Sequence, residues 1–223
     1  KFAKNINKKN NSIFDTLAIL REKKLITNYY SIVINKRIPV FSGMGGGTSN
    51  AFFLIKYFTR NNFSKNLLSF FDKKIGSDLK LFMYKQGFQD NLKTIFNFKK
   101  KYKLYFLIIY PNIKCSTKYV YSKVKKYSLK SKYSLKKINA KRKLIEILSN
   151  TKNDLQSIVE NKYPIIKKVV LHIGEMKGCY FSRMTGSGSV CYGVFKSQKS
   201  AKVALNEIKS KYPKYWSTVA KTI

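Results

Sequence analysis

The 223 residues suffice for one or two domains with a real core, and 44% hydrophobic content with 16 Tyr and 16 Phe marks a globular rather than a disordered chain. No apolar run reaches the length of about 18 residues that a membrane-spanning helix needs. A net charge of +36 fits a nucleic-acid surface, but only Arg21, Arg37, Arg60, Arg142 and Arg183 carry the guanidinium fork that reads phosphates and bases; the abundance of Lys together with Asn, Ile, Phe and Tyr is what an AT-rich genome produces, so no specific nucleic-acid partner is expected.

Asn11-Ser12 can start a helix that runs towards Lys24 with Phe14, Leu17, Ala18 and Leu20 on one face. Ser31 to Lys36 alternates as a strand does. Then comes Pro39-Val40-Phe41-Ser42-Gly43-Met44-Gly45-Gly46-Gly47-Thr48-Ser49-Asn50, which holds four of the chain's 11 glycines. Ala51 to Thr59 reads as a helix with Leu54, Ile55 and Phe58 on one face. Strand, glycine loop and helix together make an anion site: glycine allows close backbone approach, and the free N–H groups and dipole of the helix start favour phosphate. Thr48, Ser49 and Asn50 add polar donors. No Gly-Lys-Ser/Thr follows, so the stretch is not a Walker A loop, and no acidic residue sits about 20 positions on in a second strand, so it is not the dinucleotide fingerprint. A plain glycine turn is the competing reading.

A helix over 61–72 is predicted, capped by Ser64, with Leu67, Leu68, Phe70 and Phe71 inward. Asp78, in Gly76-Ser77-Asp78-Leu79-Lys80, is one of only 10 acidic residues. It can serve as a proton acceptor or as the cap of a helix beginning at Leu79, and the residues alone leave both open. Gly87 and Gln89-Asp90 mark a turn, and the basic linker 99–103 divides a domain over 1–98 from one over 99–223. Leu104 to Tyr110 reads as a buried central strand. Residues 123–143 read as a solvated connector. A helical stretch from Asn153 is bent or restarted by Pro164 and continues through Ile166, Val169, Val170 and Ile173. His172, the only histidine, is structural or exposed, since it has no partner set for metal or triad chemistry. Phe181 to Phe195 holds a strand on each side of Gly186-Ser187-Gly188, a helix with Val203, Ala204, Leu205 and Ile208 follows, and a last strand covers 215–220. Cys115, Cys179 and Cys191 show no C-x-x-C pair and no metal spacing, which fits a reducing, cytoplasmic setting.

Three of these stretches carry a resemblance. The glycine loop, the Gly-Ser-Asp segment and Thr185-Gly186-Ser187-Gly188 occur in the order seen in the GHMP small-molecule kinases. The triple glycine followed by Thr-Ser-Asn-Ala is most similar to the branch acting on 4-diphosphocytidyl-2-C-methyl-D-erythritol in non-mevalonate isoprenoid biosynthesis. The resemblance implies an α+β protein of the GHMP kinase fold, with an incomplete N-terminal domain like ribosomal protein S5 domain 2 and a ferredoxin-like C-terminal domain. It implies ATP and Mg²⁺ as cofactors, a cytidine-diphosphate-linked methylerythritol as small-molecule substrate, and no membrane. It puts ATP on residues 39–50, the catalytic carboxylate on Asp78, and substrate contacts on Thr117, Tyr121, Gly186, Ser187 and Gly188. The family's earlier motifs have no match here, so an N-terminally truncated chain with a complete C-terminus is expected. Phe41 and Ser42 stand where the family has small residues, Thr48 replaces a usual Ser, and Lys80 stands where it has Pro, which puts the backbone beside Asp78 in question. Another GHMP kinase with a different alcohol substrate, and a non-catalytic nucleic-acid binder, are the alternatives.

Overall fold

The computed structural model describes residues 11–91, 94–129 and 138–223. The chain divides into two compact units, one within Lys1–Val40 and Gly45–Asn97, the other formed by Phe41–Met44 and Phe98–Ile223.

In the first unit, helix α1 (Ser12–Glu22) starts where Asn11 Oδ1 accepts from the N–H groups of Ile13 and Phe14. Its inward face is Thr16, Ile19 and Leu20; Phe14 is exposed, because the buried stripe runs one position off the predicted face. Helix α2 (Gly46–Phe58) buries Ala51, Phe52 and Ile55. Helix α3 (Lys65–Ile75) starts at Ser64, whose Oγ accepts from Leu67 N. It buries Leu68 and Phe71 and leaves Phe70 half exposed. A 3-10 helix (Ser77–Met83) follows and buries Leu79. Ile19, Leu20, Ala51, Phe52, Ile55, Leu68, Phe71 and Leu79 form one cluster, and each of its larger members removes enough apolar surface from water to contribute about 1.5–3 kcal/mol.

The predicted strand over 31–36 is not one. Among the described residues no ladder pairs with it, and a strand needs a partner for its N–H and C=O groups. Its alternation survives in burial nonetheless: Ile32, Ile34 and Lys36 are sheltered, whereas Ser31, Val33 and Asn35 are exposed. Likewise Gly87–Gln89 is not the turn itself but strand β1, antiparallel to β2 (Ile95–Asn97), with the turn beginning at Asp90.

The second unit is organised on β3 (Tyr105–Tyr110), the strand read from the continuous apolar run. It is central: β5 (Cys191–Phe195) and β6 (Trp216–Lys221) flank it antiparallel, and β4 (Cys179–Met184) pairs with β5, giving the order β4-β5-β3-β6. Leu107 and Ile109 enter the core made with α7 (Pro164–Glu175) and α8 (Gln198–Lys211), while Leu104 and Phe106 belong to a second cluster with Leu144 and Ile145 of α5 (Lys141–Ser149). Burial on both faces explains why this strand shows no alternation. With helices between β3 and β4 and between β5 and β6, the order is that of a split β-α-β, ferredoxin-like sheet. Helix α6 (Gln156–Lys162) ends before Pro164, which opens α7 at a position where its missing N–H is no loss. In α8, Val203 is exposed and the inward residues are Ala201, Ala204 and Ile208. His172 packs against α8, with Nε2 3.2 Å from Glu207 Oε1. The connector read over 123–143 has no regular structure at 123–129 and gives way to α5 at Lys141; residues 130–137 lie outside the described residues.

Candidate active site

The glycine stretch is built differently in its two halves. Gly45–Asn50 belong to the first unit, where Gly45 takes the N-cap position of α2 with φ of 63°, a left-handed conformation that suits glycine. No side chain caps this helix. The first intrahelical bond is donated by Ser49 N to Gly45 O at 2.8 Å, so the N–H groups of Gly46, Gly47 and Thr48 precede the helical ladder. The carbonyls of the same turn are occupied: Ser12 Oγ donates to Gly47 O at 2.9 Å and Lys36 Nζ donates to Gly46 O at 3.0 Å. A turn held by its carbonyls and open at its N–H groups can receive an anion.

Asp78 lies in the first turn of the 3-10 helix of the same unit. It does not cap that helix: the N-cap position is Gly76, and no side-chain cap bond is present. Asp78 is exposed, one residue before the fully buried Leu79 that anchors the segment to the core. Phe82, on the same 3-10 helix, sits beside both Phe52 of α2, with ring centroids 6.2 Å apart, and Gly45, where an added Cβ would lie 3.4 Å from its ring. The segment that carries the carboxylate is thus packed on the helix that carries the glycines. Lys80, which stood in question beside Asp78, pairs with Asp72 of α3 instead.

Phe41–Met44 belong to the second unit, with Ser42 buried and Phe41 exposed. Ser42 O accepts from Val190 N at 3.2 Å and Gly43 O accepts from Thr185 Oγ1 at 3.1 Å. Backbone meets backbone here: a Cβ on Gly43, whose φ is 72°, would fall 2.4 Å from Thr185 O, and one on Gly186 would fall 3.0 Å from Gly43 O. Ser187 is nearly buried, and its Oγ lies 2.9 Å from Thr117 Oγ1. Thr117 opens the short helix α4 (Thr117–Ser122), which leaves the Tyr121 ring half exposed. Ser42, Gly43, Thr117, Gly186, Ser187 and Gly188 are therefore brought together in the second unit, with Tyr121 one helical turn from Thr117. Pro39 and Val40 lie in the first unit, Pro39 buried and Val40 half-buried.

Three further residues shape these loops. Asn153 donates from Nδ2 to Met184 O and Gly186 O and accepts from Leu155 N, which ties the Gly-Ser-Gly turn to the approach of α6. Lys36 is buried beneath the first turn of α2. Its signal in the sequence is a lysine on the sheltered side of an alternating segment. Asp72 had no signal, because its partner lies beyond the Gly76 turn.

The family profile described as GHMP kinases C terminal matches residues 132–214. The chain is 37% identical, over all of its length and 80% of the relative's, to the 4-diphosphocytidyl-2-C-methyl-D-erythritol kinase of Pelagibacter ubique. It is 33% identical, over 86% of its length and 65% of the relative's, to the protein of that name from Buchnera aphidicola. Among solved structures, a 4-(cytidine 5'-diphospho)-2C-methyl-D-erythritol kinase superposes with a TM-score of 0.66 over 95% of this chain and 78% of its own, at 18% identity. A homoserine kinase from Cytophaga hutchinsonii superposes with a TM-score of 0.61 over 97% and 77%, at 15% identity. The two superpositions establish the GHMP kinase fold. The Pelagibacter relative's 37% identity along the entire sequence establishes that the chain belongs to the 4-diphosphocytidyl-2-C-methyl-D-erythritol kinase family of GHMP kinases.

Proposed function

We propose that this protein transfers the γ-phosphoryl group of ATP to the 2-hydroxyl of 4-diphosphocytidyl-2-C-methyl-D-erythritol. The observation that carries the reading is the uncapped, glycine-rich start of α2 in one unit with an exposed, non-capping carboxylate at Asp78. Residues 39–50 hold the triphosphate, with the N–H groups of Gly46, Gly47 and Thr48 as donors to phosphate oxygens. Asp78 accepts the proton of the hydroxyl as its oxygen bonds to the γ-phosphorus, the bond from that phosphorus to the bridging oxygen breaks, and ADP leaves. Such transfer asks the protein mainly for positioning and charge stabilisation.

Thr117, Ser187 and the glycines at 186 and 188 line the acceptor side, and the exposed ring of Tyr121 offers a face on which cytosine stacks. Among the described residues no group of three or more His, Cys, Asp or Glu could cage a metal. Mg²⁺ would come with the triphosphate, keeping most of its waters, and would supply charge screening there. No helix among the described residues is long and apolar enough to cross a membrane.

Asp78→Asn tests the reading. Turnover should fall by about 10²–10⁴-fold, the usual worth of a positioned base, while ATP binding stays within a few-fold. Retained turnover refutes the role. A substrate panel in which another alcohol outperforms the cytidine compound would move the activity to a different GHMP branch.

A further inference from the structure

We propose that Lys36 is a positioning residue for the polyphosphate: its buried ammonium clamps the carbonyl side of the first turn of α2 and places a full positive charge behind that turn's N–H groups. The proposal rests on the assignment of this turn to nucleotide phosphates.

Lys36 is only 8% exposed, which is rare for a lysine. Its Nζ donates to Gly46 O at 3.0 Å. With the Asn50 amide turned so that its oxygen faces the ammonium, Asn50 Oδ1 accepts from Nζ at 2.9 Å, and Asn50 Nδ2 donates to Gly46 O at 3.2 Å. One lysine, one carbonyl and one amide thus close a ring around the opening turn. A Cβ at Gly46 would stand 3.4 Å from Nζ, so glycine at this position is what lets the ammonium come so near the backbone. Neither acceptor in the ring is a carboxylate. Burying an ammonium against neutral dipoles leaves most of its desolvation uncompensated, and that burial lowers the Lys36 pKa. An anion on the other side of the turn supplies the missing compensation. A lysine kept only to hold a fold would be better paired with an acid or replaced by an apolar residue.

The three substitutions Lys36→Arg, Lys36→Gln and Lys36→Met separate charge from clamping. In each purified protein the KM for ATP, the Kd for ADP, the KM for the acceptor alcohol and kcat are measured, with circular dichroism to confirm folding. We expect Lys36→Gln and Lys36→Met to raise the ATP KM and ADP Kd about tenfold or more. We expect Lys36→Arg to raise them less, and the acceptor KM to move less than about twofold in all three. A merely structural lysine would lower thermal stability and leave the nucleotide constants of the folded fraction alone. Nucleotide constants within twofold of wild type in a folded Lys36→Gln or Lys36→Met protein overturn the proposal. If Lys36→Met fails to fold, Lys36→Gln, which keeps a donor for Gly46 O, and Lys36→Arg still decide it by their order. If the wild-type protein itself binds no ATP or ADP, the assignment of the turn to nucleotide fails instead.

Discussion

Removing the charge of Asp72 should loosen the segment that carries Asp78. The Asp72 and Lys80 side chains are 14% and 23% exposed, so their ion pair is neither a solvated surface contact nor a fully buried one. Exposed pairs contribute about 0–1 kcal/mol, and stranding one member of a buried pair costs about 3–5 kcal/mol, which places Asp72→Asn near 2 kcal/mol. One oxygen of Asp72, Oδ1, is buried without a hydrogen-bond partner, so the carboxylate is incompletely compensated even in the pair. Lys80→Met strands this more sheltered, already undercompensated carboxylate and should therefore cost more, about 3 kcal/mol, and the double variant should recover part of the loss. A coupling of about 1–2 kcal/mol is expected from the full cycle. The assay is urea denaturation of the four proteins, with hydrogen exchange over 65–83 to show that the loss is local to α3 and the 3-10 helix. Because the pair is sheltered, high salt should remove less of the coupling than it would for a surface pair. Single-variant losses below about 0.5 kcal/mol that add without coupling would refute the reasoning. In kinetics, Asp72→Asn should lower kcat more than it raises the ATP KM, since it displaces the carboxylate's support and leaves the glycine turn intact.

Two other outcomes follow from the second unit. Gly43→Ala puts a methyl 2.4 Å from Thr185 O at a φ of 72°, so it should lower kcat/KM by more than about tenfold, against a smaller loss for Thr185→Val, which removes one hydrogen bond to Gly43 O. Steady-state kinetics on both variants checks this. The thiols should be silent in the native protein: burial raises Cys179 to about 11 and pushes Cys191 higher, and Cys115 is also raised. At pH 8 a thiolate-selective reagent should label Cys179 on the order of a hundredfold more slowly than an unfolded control. Because these thiols ionise more readily once unfolded, stability should decline as pH rises from 9 towards 11, and the decline should shrink in Cys179→Ala.

Much of the fold was legible because it rests on local rules. Ser64 and Asn11 cap where short polar residues precede an apolar stripe, Pro164 restarts a helix, and the unbroken run at 104–110 is the central strand covered on both faces. The errors have a common cause as well. Phe14, Phe70 and Val203 sit at positions where the apolar stripe is wider than the surface available to bury it, and hydrophobicity alone does not say which edge of a stripe faces the core. At 31–36 the period of two was read correctly, and the strand was not, because a ladder belongs to two segments and only one was in view.

The same distinction explains what was visible in the site. Glycines report themselves, since a run of them at a helix start has few uses, and a rare acid beside Gly76 stands out in so basic a chain. What holds those residues in place is made of pairs: Lys36 with Gly46 and Asn50, Asp72 with Lys80, Thr117 with Ser187 70 positions away. A pair has no period and no composition, so a single sequence shows at most one member of it, as with Lys36 on the sheltered side of 31–36. Lys80 is the sharpest case. Read alone, a lysine in place of the family's proline adds a charge next to the proposed base and removes a conformational restraint. Paired with Asp72, it gives both back: the charge is neutralised within the first unit, and the ion pair ties the 3-10 helix to α3 across the Gly76 turn. A departure from a family pattern that seems to damage a site is therefore best judged together with the residue that its new side chain reaches.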